Sequence, residues 1–196
     1  MSSRIAITDD PIDPALASRW SPRAFADRTI EEQTIASLFE AARWAPSANN
    51  LQPWAFIHAS RGTEGFDRLR GCLKESNALW AGKAAILALA IVRPTKPDGS
   101  VNPHARYDLG QAVAHLTFQA IALGLHVHQM AGFDPERART RMNIPHDHEA
   151  VAAIAIGYLG EASDLPASLQ EKERAARTRR PAKSFVFRGQ WPDHDQ

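Results

Sequence analysis

The sequence predicts an α+β fold, in which a sheet is covered by helices within one domain of 196 residues. Apolar residues recur at helical spacing in several segments, most clearly between Asp108 and Leu125. Two apolar runs without alternation, Ala84–Val92 and Val151–Leu159, are typical of strands covered on both faces. Helices and strands alternate, but the connections between them are irregular, which favours an α+β fold over a regular doubly wound one.

The first half of the chain contains four predicted elements. A short helix ends or bends at Pro22. A longer helix spans Thr29–Ala42, where Thr29 and Glu32 have the spacing of a capping box. Pro46 ends this helix, and the next two elements are a strand at Trp54–Ala59 and a helix at Phe66–Lys74.

The second half begins with the strand Ala84–Val92 and continues, after a proline-rich loop, with the helix Asp108–Leu125, which Gly124 ends. The strand Val151–Leu159 lies further along. The remaining predicted elements are a strand at His126–Met130, a helix at Asp134–Met142 capped by Asp134, a charged helix at Leu169–Arg177 and a strand-like segment at Ser184–Phe187.

Composition excludes several classes of function. The formal net charge is +1, so no global field draws the chain to nucleic acid or to an anionic membrane. The single cysteine, Cys72, cannot form an internal disulfide, and the N-terminal residues do not resemble a signal peptide. We therefore expect a cytoplasmic protein that binds neither nucleic acid nor membrane. None of the eight histidines has a recognised zinc spacing, so we expect no metal site.

Three segments combine small, polar or basic residues with tight turns. Arg19–Arg23 offers two arginines and a serine that suit a phosphate, but it also fits a solvated helix end. Ala45–Trp54 is a polar loop held by two prolines; its amides can bind the edge of a planar heterocycle, or it is only an ordered turn. Met130–Asp134 has a glycine where a strand meets a helix, which suits either a ligand close to the backbone or a capped helix start.

In this order, the segments resemble the FMN-dependent nitroreductase family. RWSPRAF resembles that family's opening R-x-S-x-[RK]-x-F, and AARWAPSANNLQPWAF resembles its A-x-x-A-P-S-x-x-N-x-Q-P-W-x-F segment. MAGFD resembles the family's E-G-F-D turn, with Ala131 in place of Glu, and RTRRP resembles a basic segment near its C-terminus. The resemblance runs from Arg19 to about Trp191 and implies a central, mostly antiparallel sheet flanked by helices, in a homodimer with two FMN.

The resemblance also implies a set of FMN-binding residues. Arg19 and Ser21 would hold the phosphate and ribityl chain, while Arg23 would reach the pyrimidine edge of the flavin. The other implied positions are Pro46, Ser47, Ala48 and Asn50 from the second subunit, Asn77 at the flavin's O2 and N3 (or as a helix cap), the amides of Ala131 and Gly132 near N5, and Arg177 and Arg179, or Arg180 in place of either, at the phosphate.

The implied activity is ping-pong transfer from NADH or NADPH, through FMN, to an electron-poor small molecule such as a nitroaromatic or a quinone. The flavin supplies the chemistry, so we expect no catalytic side chain. Residues 181–196 would form a C-terminal extension of the single domain, with Ser184–Phe187 as an edge strand on the partner. Two alternatives stay open: another redox reaction on this scaffold, such as enal or semialdehyde reduction or dehalogenation, and flavin binding without turnover.

Overall fold

A computed structural model describes residues 4–192 of the chain. Within this range the chain forms four strands and seven α-helices. The strands are β1 (Trp54–Ser60), β2 (Ile86–Val92), β3 (His126–Met130) and β4 (Glu149–Gly157). The helices are α1 (Pro14–Ser18), α2 (Glu32–Arg43), α3 (Glu64–Arg70), α4 (Glu75–Ala81), α5 (Ala105–Ala122), α6 (Pro135–Arg141) and α7 (Ala167–Arg174).

The four strands form one antiparallel sheet in the order β1-β2-β4-β3. Trp54 pairs with Val92 at one end of the sheet, and Val92 pairs with Glu149. The loops that precede β1 and follow β3 therefore leave the same end of the sheet, but at its two opposite edges. The predicted α+β fold with an antiparallel sheet and flanking helices is confirmed.

Strand β2 is covered on both faces of the sheet, which accounts for its unbroken apolar sequence. Every one of its seven residues is buried, and successive side chains point to opposite faces of the sheet. On one face Ile86, Ala88, Ala90 and Val92 pack with α2 and α5. On the other face Leu87, Leu89 and Ile91 pack in a second core with Phe66 of α3 and Trp80 of α4.

Several predicted boundaries were wrong by a few residues. Helix α2 begins at Glu32 rather than Thr29, and its N-cap, Glu31, makes no side-chain capping bond, so the proposed capping box does not form. Helix α5 spans Ala105–Ala122 rather than Asp108–Leu125, because Gly124, at φ +73°, belongs to the turn that follows it. The cap of α6 was right, since Asp134 accepts a hydrogen bond from the Arg137 N–H at 2.9 Å.

Two elements differ in kind from the prediction. Helix α4 was missed, because only Trp80 and Ala81 are buried in its seven residues and no helical repeat is visible. The Ser184–Phe187 segment is not a strand in this chain, since a single 3-10 turn occupies Ala182–Ser184 and extended pairing is absent from the described C-terminal residues. Residues 193–196 of the predicted extension lie outside the described range.

In the part of the chain that the structure describes, no helix has both the length and the apolar character needed to cross a membrane.

Candidate functional site

The segment from Arg19 to Arg23 runs beside β3. The His128 Nδ1 lies 2.8 Å from the Pro22 carbonyl oxygen and donates to it, which fixes the segment against the strand. Arg19 Nη1 donates to Ser21 Oγ at 3.1 Å, so these two side chains lie on one side of the segment. The intervening Trp20 makes an edge contact with the His126 ring, at 6.2 Å between centroids.

Glu173 of α7 holds the backbone at Arg23. Its Oε1 accepts hydrogen bonds from the N–H groups of Arg23 and Ala24, at 2.8 and 3.0 Å, and its side chain is only 3% exposed. The Arg23 guanidinium lies 3.7 Å from Oε2. Sequence reasoning missed this residue, because α7 is a charged segment in which nothing distinguishes Glu173 from the exposed Glu171.

Arg177 fixes the N-terminal segment to the C-terminal one. Its guanidinium donates to the carbonyl oxygens of Arg4, Ala17 and Arg19, at 2.6 to 2.7 Å. Arg179, in contrast, is exposed and donates only to the adjacent Thr178 carbonyl among the described residues, at 2.7 Å. Arg179 therefore makes fewer hydrogen bonds than Arg177 does. Arg177 mainly supports the backbone around Arg19.

These arginines concentrate positive charge. Burial lowers the pKa of the Arg19 guanidinium, and the nearby charges of Arg177 and Arg179 lower this pKa further. Within residues 4–192, no carboxylate forms an ion pair with any of the three. Uncompensated guanidinium groups of this kind suit a phosphate, so the residues present fit the anionic end of FMN.

Asn77 and Gly132 are 55 residues apart in sequence but meet in the structure. Asn77 Nδ2 donates to the Gly132 carbonyl oxygen at 2.9 Å. Asn77 lies inside α4, whose N-cap is Lys74, so the alternative that Asn77 caps a helix is wrong. A Cβ added to Gly132 would lie 2.5 Å from Asn77 Nδ2, so a side chain at this position would displace the Asn77 amide. In the described chain, the N–H groups of Ala131 and Gly132 have no acceptor.

The loop between α2 and β1 has an unusual backbone. Asn49, Asn50 and Gln52 all have left-handed φ values, between +47° and +54°. Ser47 Oγ accepts from the Gln52 N–H at 3.0 Å, which holds the loop internally. The Ala48 N–H donates to Asp108 Oδ2 at 3.1 Å, and Asp108 is a buried residue of α5. Such conformations are costly for residues other than glycine and are concentrated at functional sites.

The predicted residues therefore form two groups. Group A comprises Arg19, Ser21, Arg23, Asn77, Ala131, Gly132, Arg177 and Arg179, and it lies at the β3 edge of the sheet. Group B comprises Pro46, Ser47, Ala48 and Asn50, and it lies at the β1 edge. No hydrogen bond or ion pair between described residues joins the groups. Three interstrand spacings separate the two edges, which is about 14 Å.

Comparison with known proteins identifies the class of this chain. The sequence model of the nitroreductase family matches residues 16–79, which include Arg19, group B and Asn77. A solved structure described as an oxidoreductase containing FMN is 33% identical, with 98% of both chains covered and a TM-score of 0.92. The chain is thus similar to oxidoreductases in both sequence and fold. It belongs to the nitroreductase family.

Two named relatives cover most of the chain. A Streptomyces coelicolor protein with the provisional name NADH dehydrogenase/NAD(P)H nitroreductase is 29% identical, over 69% of this chain and 76% of its own. The 5,6-dimethylbenzimidazole synthase of Rhodospirillum rubrum is 27% identical, over 88% of this chain and 92% of its own.

Proposed function

We propose that this protein is an FMN-dependent oxidoreductase, which takes electrons from NADH or NADPH and reduces electron-poor acceptors such as nitroaromatics or quinones. One observation carries the proposal: group A gathers an uncompensated arginine cluster, an amide and two backbone N–H groups at one sheet edge. This set matches an anionic ligand with a planar polar end. The similar solved oxidoreductase contains FMN, which supports the same cofactor here.

Six of the group A residues have a specific role in this proposal. Arg19 and Arg179 would bind the FMN phosphate, and Arg177 would hold the Arg19 backbone in place. Arg23, oriented by Glu173, would place a cation at the flavin's pyrimidine edge, where reduced flavin carries negative charge. The N–H groups of Ala131 and Gly132 would face N5. FMN supplies the two-electron chemistry when bound, in ping-pong order between nucleotide and acceptor.

We also propose a homodimer, because group A and group B lie at opposite edges of one sheet, about 14 Å apart. A second copy would bring its group B loop over the flavin held by the first copy's group A.

Helix α5 offers a surface for this association. Its outward face carries a stripe at helical spacing that is not fully buried, and one member, Tyr107, is 69% exposed. The stripe consists of Tyr107, Gln111, Ala114, Phe118 and Ile121.

The C-terminal segment is a second contact in this proposal. Phe185, Val186 and Trp191 are between 54% and 71% exposed in the single chain, which is unusual for three large apolar side chains so close in sequence. We propose that residues 181–196 reach the partner subunit, where burial of these side chains would stabilise the dimer.

The visible spectrum of the purified protein tests the cofactor, and anaerobic addition of NADH or NADPH tests the enzyme. We expect a flavin spectrum that bleaches with a nucleotide and recovers with a nitroaromatic or a quinone. Arg23→Ala should weaken FMN binding or slow its reduction, whereas Arg68→Ala, which removes an exposed arginine paired with Glu64, should not. A colourless protein would overturn the proposal.

A second candidate is another redox reaction on the same scaffold. The relative named 5,6-dimethylbenzimidazole synthase covers more of this chain than the relative named as a nitroreductase does. Flavin that is reduced by a nucleotide but not reoxidised by nitroaromatics or quinones would favour this candidate. Flavin that no nucleotide reduces would indicate a non-catalytic flavin-binding protein.

A further inference from the structure

A small polar cleft lies between the group B loop and the loop that follows β2. Its volume is about 170 Å³, and its walls include Gln52, Trp54, Arg93, Thr95, Asn102 and His148. Pockets for drug-sized ligands begin at about 300 Å³, so this cleft has room for one substituent of a ligand rather than for a whole molecule.

Asn102 lines this cleft and has a donor without an acceptor. The residue is 5% exposed. Its Oδ1 accepts from the His104 N–H at 3.2 Å, at the start of α5, which fixes the orientation of the amide. Its Nδ2 is buried and has no hydrogen-bond partner. Buried polar groups are nearly always paired in folded proteins, so the free Nδ2 points to an acceptor that comes from a ligand.

Arg93 is the one charged side chain among the described residues that line the cleft. Arg93 lies beside Asn102, and its Nε is 3.5 Å from Asp147 Oδ2. The other oxygen of Asp147 accepts from His148 Nδ1 at 2.7 Å, so this carboxylate already has two partners. No hydrogen bond between described residues uses the terminal nitrogens of Arg93. Thr95 and Trp54 also line the cleft and carry further donor groups, which favours a ligand atom that accepts hydrogen bonds.

We propose that the cleft binds the carboxylate of an aromatic electron acceptor. A carboxylate offers two acceptor oxygens and one negative charge, which suit Asn102 Nδ2 and the Arg93 guanidinium. The cleft shares a wall with the proposed flavin-covering loop, because Gln52, whose N–H is held by Ser47, belongs to both. This inference rests on the proposed function, in which group B covers the flavin and the cleft adjoins the group B loop.

Matched substrates and variants test whether the cleft binds a carboxylate. For the wild-type holoenzyme, kcat/KM should be at least about tenfold higher for 4-nitrobenzoate than for the neutral 4-nitrobenzamide. Asn102→Asp keeps the oxygen that accepts from His104 but replaces the donor with negative charge, so this preference should disappear. Arg93→Gln, as a separate variant, should also reduce the preference for 4-nitrobenzoate. Arg106→Gln removes an arginine whose partner, Glu149, lies outside the cleft, so the preference should stay.

A binding measurement separates this inference from the proposed function. Titration of the oxidised protein with 4-methylbenzoate, followed by calorimetry, needs no turnover. We expect binding that weakens at least about tenfold in Asn102→Asp and Arg93→Gln. Binding without turnover would support the cleft while overturning the enzyme. Equal affinity in wild type and both variants would overturn the inference, as would variants that raise only the KM of NADH or NADPH, since the cleft would then bind a nucleotide phosphate.

Discussion

Glu173 is the side chain on which the conformation at Arg23 depends most directly. Glu173→Ala would leave the buried Ala24 N–H and the neighbouring Arg23 N–H without an acceptor. We expect a loss of roughly 2 kcal/mol or more in the free energy of unfolding, measured by urea denaturation. Glu171→Ala, an exposed change on the same helix, should stay within about 0.5 kcal/mol of wild type. Similar values for the two variants would contradict the role given to Glu173.

His126 makes the stability of this region depend on pH. Burial lowers the pKa values of His126 and His128, so the folded state favours neutral rings. The unfolded chain takes up protons first as the pH falls below about 6.5, so stability is complete above that value and declines below it. His126→Phe should therefore lose less free energy of unfolding than wild type between pH 7.5 and 5.5. His128 should keep part of the pH dependence of stability in both proteins. Equal losses in the two proteins would show that His126 does not contribute to this pH dependence.

At the residue scale, the sequence predicted which side chains belong together only where a local motif contains them. Arg19 and Ser21 are two positions apart in one motif, which predicted that they share a site, and their side chains are in contact. Asn77 and Gly132 were assigned through the family resemblance, since nothing in either segment indicates the other. Glu173 and Asp108 were missed, because their partners are backbone N–H groups 149 and 60 residues away, and any sequence could provide those.

At the scale of elements, helix α5 and the group B loop act as one unit. The buried Asp108 accepts from the Ala48 N–H, which anchors a loop that contains three left-handed residues. Asp108→Ala should release the loop and weaken FMN binding about tenfold, whereas Asp108→Asn, which keeps an acceptor oxygen, should restore most of the affinity. Fluorescence titration of apoprotein with FMN measures both. An equal loss in the two variants would indicate a role of the Asp108 charge instead.

Elements with a buried stripe were predictable from sequence, and those that depend on distant contacts were not. Strand β2 and helix α5 each contain enough buried apolar residues to show their type. Helix α4 contains two buried residues and is stabilised by its place under the sheet, where Trp80 stacks near Phe25 at 6.3 Å. The C-terminal segment shows the converse: an apolar stretch resembles a strand in sequence but has no strand to pair with in its own chain.

At the scale of the whole molecule, the two groups of residues that we propose to bind flavin lie at opposite edges of one sheet. If each flavin needs group A from one copy and group B from the other, cofactor binding and dimerisation must be lost together. The sequence alone did not show this separation, because it depends on the strand order β1-β2-β4-β3, which places the first strand and the third at the two edges.

Ala114→Arg tests this coupling. The change puts a long charged side chain in the middle of the outward stripe of α5, the surface where we propose that a second copy packs. Wild type should sediment at twice the chain mass of 21.6 kDa with bound flavin, while the variant should sediment as a folded monomer that has lost FMN. Asp67→Arg, which also introduces an arginine on an exposed helix face but on α3, should keep both the dimer and the flavin. A monomeric Ala114→Arg protein that retains FMN at wild-type affinity would place the whole flavin site within one chain, and group B would then need another role.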